Sequence, residues 1–244
     1  MQKAKGIVLH HIPYSETSIV AHVFTLEFGF KSFMVKGARK PKAKIKKSIF
    51  LPLQELLLNF YPAKSDDGMS LLSAAQPINM NLYLGQDVIV SSLSFFIAEV
   101  SYKSLKNEQE NPFLYQFIRD FGQGLQDLDR SNYALIPNYF LVQLSSFLGF
   151  MVIGESSENS KYFDMEHGVF VPFKPKNDLF MSSGTSKLLL SLANSKLDGL
   201  KAISSTKTDR TDLTNQMLKY YSLHVAQFGK IKSLEVLQSV FQVM

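Results

Sequence analysis

Hydrophobic positions change their period once along this chain, near residue 80. Before that point they fall in short runs rich in Ile, Val, Phe and Leu, at residues 6–14, 18–25, 30–36, 53–61 and 69–75. Turn-forming stretches separate them: Pro13 to Thr17, Glu27 to Gly29, a basic run, and Pro62 to Gly68. Runs of this length between such punctuation predict five β-strands. Five strands in so few residues fit a small closed or partly closed barrel. An OB-fold and an SH3-like barrel satisfy this spacing equally.

After Asn79 the period becomes helical. Ile89, Leu93, Phe96, Ile97 and Val100 lie on one face of a first helix. Asn111-Pro112 reads as an N-cap followed by proline at the first helical position, opening a second stripe of Leu114, Phe117, Ile118, Phe121, Leu125 and Leu128. A third helix is expected over 139–150, a short one over 187–193, a longer one over 212–227 closed by Gly229, and a last one over 233–241. Helical spacing fails between 153 and 175. There Tyr162 to Asp164 and Gly168 to Pro172 predict a hairpin with Glu166-His167-Gly168 as its turn. The fold class is α+β: a five-stranded barrel over residues 1–79, then a helical domain over 80–244 carrying a cysteine-free hairpin at about 151–175. The link Gln76-Pro77-Ile78-Asn79 is short, so two packed domains are expected.

Composition narrows the chemistry. The chain has 244 residues, 45% hydrophobic and 12% aromatic, enough to bury a core and too apolar for a solvated tail. It contains no cysteine, which excludes disulfides, thiolate-held zinc and a catalytic thiol. No apolar run approaches the roughly 20 residues of a membrane span. The N-terminal apolar stretch is broken by His10, His11 and Pro13, so it reads as a strand and not a signal peptide. Cytoplasm is the expected compartment.

Charge is distributed unevenly. The net charge is +5, yet eight cations and no acid lie between Glu27 and Glu55: Lys31, Lys36, Arg39, Lys40, Lys42, Lys44, Lys46 and Lys47. Everything outside that window therefore sums to 5 − 8 = −3. Such a local field calls for a polyanion, and nucleic acid is the expected one. The alternative is a solvated loop that only aids solubility. Phe28, Phe30, Phe33 and Phe50 flank the run. Each could stack on a base, although filling the barrel core is the favoured role for any one of them. Arg39 is the lone guanidinium of the run and can hold a phosphate bidentately.

No catalytic constellation is visible. The chain lacks a GxxxxGK[ST] loop, a GxGxxG after a strand and a GxSxG elbow. Its five histidines, His10, His11, His22, His167 and His224, form no HxxxH or HExxH pair. Asp66-Asp67 read as turn formers, and Asp127 and Asp129 flank a helix end. A non-enzymatic protein without cofactor or metal is expected. An enzyme such as a nuclease would need a carboxylate cluster for Mg²⁺.

Several blocks resemble the bacterial DNA repair family RecO. They are Gly6 to Leu9, Glu16, Phe24-Thr-Leu-Glu-Phe-Gly29, Val35-Lys-Gly-Ala-Arg-Lys40 and Leu51-Pro-Leu53. Further along come Phe147-Leu-Gly-Phe150, Leu218-Lys-Tyr-Tyr-Ser-Leu-His224 and Ile231-Lys-Ser-Leu-Glu-Val-Leu237. The resemblance implies an N-terminal OB-fold and a helical domain. It also implies a recombination mediator that binds single- and double-stranded DNA and anneals complementary strands. With RecR, such a mediator helps load RecA onto DNA coated by single-strand-binding protein (SSB), in the cytoplasm and associated with the nucleoid. Carried onto this chain, DNA contacts fall on Lys36, Arg39 and their basic neighbours, and on Lys219. The acidic SSB tail implies an apolar pocket rimmed by Lys or Arg, expected in helices within residues 80–150. Many members of the family carry a four-cysteine zinc module where this chain has 151–175, so zinc is not carried over. The alternative function is an RNA-binding OB-fold protein associated with ribosomes.

Overall fold

A computed structural model describes residues 1–65, 68–78, 86–153 and 161–242. Its elements are β1 (Gln2–Tyr14), β2 (Ser18–Thr25), β3 (Gly29–Val35), β4 (Glu55–Tyr61), β5 (Ser70–Pro77), α1 (Val88–Ser104), α2 (Pro112–Gly124), α3 (Ile136–Phe147), β6 (Tyr162–Asp164), β7 (Val169–Val171), β8 (Phe180–Met181), α4 (Ser183–Ala193), α5 (Lys207–His224) and α6 (Ser233–Gln242). They group into two compact units: Met1–Asp127 together with Ile231–Met244, and Leu128–Lys230. The boundary expected near residue 80, and the Asp66-Asp67 turn, lie outside the described residues.

In the first unit β1 to β5 close into a barrel of order β1-β2-β3-β5-β4. β3 and β5 run parallel while the other neighbours run antiparallel. Closure through β1, which pairs with both β2 and β4, leaves no free edge. Spacing alone left two barrels open; this strand order is OB-like. Ile19, Val23, Phe33, Val35, Leu56, Leu58 and Phe60 fill the interior. Ile7, Val20 and Phe24 are equally buried, although they alternate with interior positions. That is why β2 reads as almost continuously hydrophobic: its second face is covered as well.

Helices of the same unit supply the cover. α1 starts where Asp87 Oδ1 accepts from the amides of Ile89 (2.8 Å) and Val90 (3.1 Å). α2 starts as the sequence expects, with Asn111 Oδ1 accepting from Leu114 N at 3.1 Å and proline in the first turn. α2 ends at Gly124, so the Leu128 of its expected stripe lies beyond it. It is fastened by Glu55, a buried carboxylate that accepts from Tyr115 Oη (2.9 Å) and Gln123 Nε2 (3.1 Å). The link between α1 and α2 docks on the β2–β3 turn, where Phe30 N donates to Glu108 O at 3.0 Å. Gly29 sits there at φ 63°, and a Cβ would lie 2.4 Å from backbone atoms of Glu108 and Gln109. Only glycine fits both the angle and the space. α6, from the far end of the chain, packs on α1. Glu99 caps it by accepting from Lys232 N (3.0 Å) and Ser233 N (2.7 Å).

The second unit packs α3, α4 and α5 with a sheet of order β7-β6-β8. The hairpin expected at 162–172 is present, with Phe163 opposite Phe170. Phe163 is fully buried, its ring 5.2 Å from Phe170 and 5.5 Å from Tyr220. β8 was not anticipated: two residues carry no readable period, and only pairing with β6 makes them a strand. α5 begins five residues earlier than expected because Thr206 and Asp209 form a reciprocal capping box. It ends at His224 and not near Gln227, since Val225 is already extended. Phe150 meets Tyr220 and Tyr221 edge-on (5.4 and 5.0 Å) and stacks on His224 (5.2 Å), so two blocks some seventy residues apart join in one cluster.

Candidate nucleic-acid interface

Between β3 and β4 the chain passes over one end of the barrel carrying its basic run. The run is held from beneath. Ala38 (3% exposed), Ile45 (8%) and Phe50 (0%) are part of the barrel core. Gly37 takes the left-handed φ of 68° that turns the chain out of β3. Lys40 N then donates to Gly37 O, Ala43 N to Lys40 O and Lys47 N to Ala38 O, each at 3.1 Å. The loop β1–β2 braces this from the side: Arg39 N donates to Thr17 O at 2.9 Å, and Arg39 Nη1 to Ser15 O at 3.2 Å. Glu16 lies between those two carbonyls in sequence, the nearest carboxylate along the chain to that contact.

With alanine and isoleucine turned inward, the charges turn outward. Lys36, Arg39, Lys40, Lys42, Lys44, Lys46 and Lys47 are all exposed. The structure thus gathers seven of the nine expected contacts into one patch. Lys31 is half-buried near the opposite end of β3, about 17 Å of strand from Lys36. Lys219 lies on α5, in the second unit, and donates to Asp178 O at 2.9 Å. His11 joins the loop without having been singled out for it. It is half-buried beside Lys47, and burial first, then that lysine's charge, holds its pKa below the usual range.

The flanking phenylalanines divide. Phe33 and Phe50 are wholly buried and belong to the core. Phe28 packs edge-on against Phe60 at 5.8 Å. Phe30 is half-buried in a layer with His22 (5.8 Å) and Tyr102 (6.1 Å), which also includes His10, 4.9 Å from Tyr102. None of these four phenylalanines stands fully exposed beside the basic loop, whose open groups are its cations, suited to phosphates.

The region 151–175 does not fit a zinc module of four thiolates, because the chain has no cysteine. Asp164, Glu166 and His167 do come within 4.8 Å of one another. They are already engaged in holding the turn. Asp164 Oδ1 accepts from Glu166 N (2.9 Å), its Oδ2 lies 2.9 Å from His167 Nδ1, and Asn177 Nδ2 donates to Glu166 Oε2 (3.0 Å). The Asp164 contact raises the pKa of His167, and hydrogen bonds from the turn lower that of Asp164 against the opposing effect of burial. His224, expected to be packed or hydrogen-bonded, has Nε2 2.9 Å from Met165 O. No helix among the described residues is long and apolar enough to cross a membrane.

Residues 1–81 match the family model "Recombination protein O N terminal", and residues 85–235 match "Recombination protein O C terminal". Curated relatives are similar over nearly their full length. The DNA repair protein RecO of Azobacteroides pseudotrichonymphae is 32% identical over 99% of both chains. That of Phocaeicola vulgatus is 29% identical over 99% of both, and that of Flavobacterium psychrophilum 31% over 98% of both.

Proposed function

Because this chain belongs to the RecO family, and so serves DNA repair and recombination, we propose that it is a recombination mediator that anneals complementary single strands. The observation that carries the reading is the basic loop, whose seven exposed cations surround residues anchored in the barrel core. Two strands repel through their phosphates. A concentrated positive surface lowers that repulsion and raises the local strand concentration, with no bond made or broken in the protein and no ATP consumed. Lys36, Arg39, Lys40, Lys42, Lys44, Lys46 and Lys47 are the proposed contacts, with Lys31 and Lys219 as outlying ones. In this scheme residues 1–79 are the main DNA-binding domain and 80–244 the helical domain, which adds Lys219 and the expected pocket for the SSB tail. Working with RecR, the protein would load RecA on DNA coated by SSB, whose acidic tail would dock in an apolar pocket rimmed by Lys or Arg. The compartment that follows is the cytoplasm, at the nucleoid.

The test is annealing of two complementary fluorescent oligonucleotides in EDTA, without ATP, over a salt series. Acceleration should fade steeply with salt. Seven phosphate contacts on a single strand give a log–log slope for binding of about −5, and Lys36→Glu with Arg39→Glu should make it shallower by at least about 1.4. No acceleration by folded protein at any salt, or preference for RNA of the same sequence, would overturn the reading.

A further inference from the structure

We propose that the segment after β7 in the second unit is a separate single-strand contact, in which Phe173 stacks on a base while Lys174, Lys176 and Lys219 meet the neighbouring phosphates. This rests on the DNA-binding reading above and adds a base-stacking ring to its phosphate contacts.

Phe173 is 82% exposed, the most exposed large apolar side chain described. It projects from a bend between Pro172 and Pro175. Each proline fixes its own φ, so the segment is stiff and little entropy is lost when a ligand stacks there. From Val169 to Asn177 the chain carries two lysines and no acid. Lys174, exposed next to Phe173, has its Nζ 4.9 Å from the centroid of the Phe180 ring on β8. Lys219, exposed on α5, donates to Asp178 O, five residues along the chain from Phe173. The acids close by are Asp178, Glu166, which takes a hydrogen bond from Asn177, and Asp164, which is paired with His167.

An exposed ring flanked by cations is the pairing used by sequence-tolerant single-strand sites: π-faces take bases and ammonium groups follow the backbone. Phe113 is equally exposed but differs in its surroundings. That ring is 80% exposed in the first turn of α2. It follows Glu110, and on the same helix face Asp120 is bonded to Gln116 at 2.7 and 2.8 Å and paired with Arg119 at 3.1 Å. No lysine or arginine lies within five residues of Phe113 along the chain, whereas Lys174 adjoins Phe173 and Lys176 lies three residues beyond it. A single strand is the ligand of choice because paired bases present no free face for the ring.

The chain contains no tryptophan, which makes a direct test possible. In full-length Phe173→Trp protein, the emission of the lone indole is followed while oligo(dT) is added, with binding measured in parallel by anisotropy of a labelled strand. Saturating quenching that tracks binding is expected. Phe173→Ala with Lys176→Glu should weaken single-strand affinity roughly fivefold or more, while duplex affinity changes less than about twofold. If the strand binds but the indole does not respond and the double variant binds normally, this inference is overturned and the basic-loop reading stands. If the wild-type protein binds no strand at all, the function proposed above fails, and this inference falls with it.

Discussion

His22 shows how a single ring can record the packing of the first unit. Its neighbours are His10 and Phe30, stacked on either side at 6.2 and 5.8 Å, and Tyr102 at 5.0 Å. Its Nδ1 shares a 2.9 Å hydrogen bond with Ser32 Oγ. Burial, then the charges of His10 and Lys106, push its pKa down to about 4. The neutral ring is therefore the form that the fold holds. The unfolded chain takes up a proton near pH 6.5 and the folded one only near 4, so this contribution is fully present above pH 6.5 and is lost as pH falls toward 4. The urea midpoint should drop between pH 7.5 and pH 5. Part of that drop, about 1–2 kcal/mol once the partial exposure of the ring is allowed for, should be absent in His22→Gln. An identical pH dependence in the variant would mean that the ring does not titrate with folding. Sequence reading placed His10 and His11 side by side in one expected strand. It had no means of seeing that His10 and His22, twelve residues apart, are cross-strand partners.

At the scale of elements, the basic loop combines two kinds of residue. Its lysines were legible as charge because they cluster in sequence. Ala38 and Ile45, small interruptions in a lysine run, gave no comparable signal, yet they tie the loop to the barrel. Ile45→Ala removes part of an anchor without altering charge. Hydrogen exchange should quicken at the amides of Arg39 and Lys47, whose bonds to Thr17 and Ala38 depend on the loop staying down, while β2 and β3 keep their protection. Unchanged protection at those two amides would show that the backbone bonds alone hold the loop. The blocks that carry the family resemblance also gain a physical meaning here. Thr25 in the β2–β3 turn donates from Oγ1 to Gly29 O (2.8 Å) and accepts from Phe28 N (3.1 Å), closing a turn that only glycine can complete.

Across the whole molecule, chain order and packing diverge. α6 is the last element, yet it completes the unit that begins at residue 1, packed on α1 and capped by Glu99. Glu99 is also 3.8 Å from Lys103, and its pKa is lowered by Ser233, Lys232 and that lysine against the opposing effect of burial. Glu99→Ala removes both caps at once and should cost about 1–2 kcal/mol. The loss should be seen as faster hydrogen exchange in α6 and in the facing part of α1. Unaltered exchange there would mean that helix packing alone holds α6 in place.

Local interactions determined much of this protein from sequence alone. Strand and helix periods, the Asn111-Pro112 helix start, the hairpin at 162–172 and the concentration of charge all depend on residues close together in the chain, so they can be read from it. What tertiary structure decided lies between distant residues: the β1-β2-β3-β5-β4 order that separates an OB-like barrel from other small barrels, the burial of Phe33 and Phe50 beside the basic run, and the two-residue strand β8. The return of α6 to α1 and the exposure of Phe173 belong to the same class. Period and composition state that a side chain is apolar. Which surface covers it, or whether any does, is settled only when the elements pack.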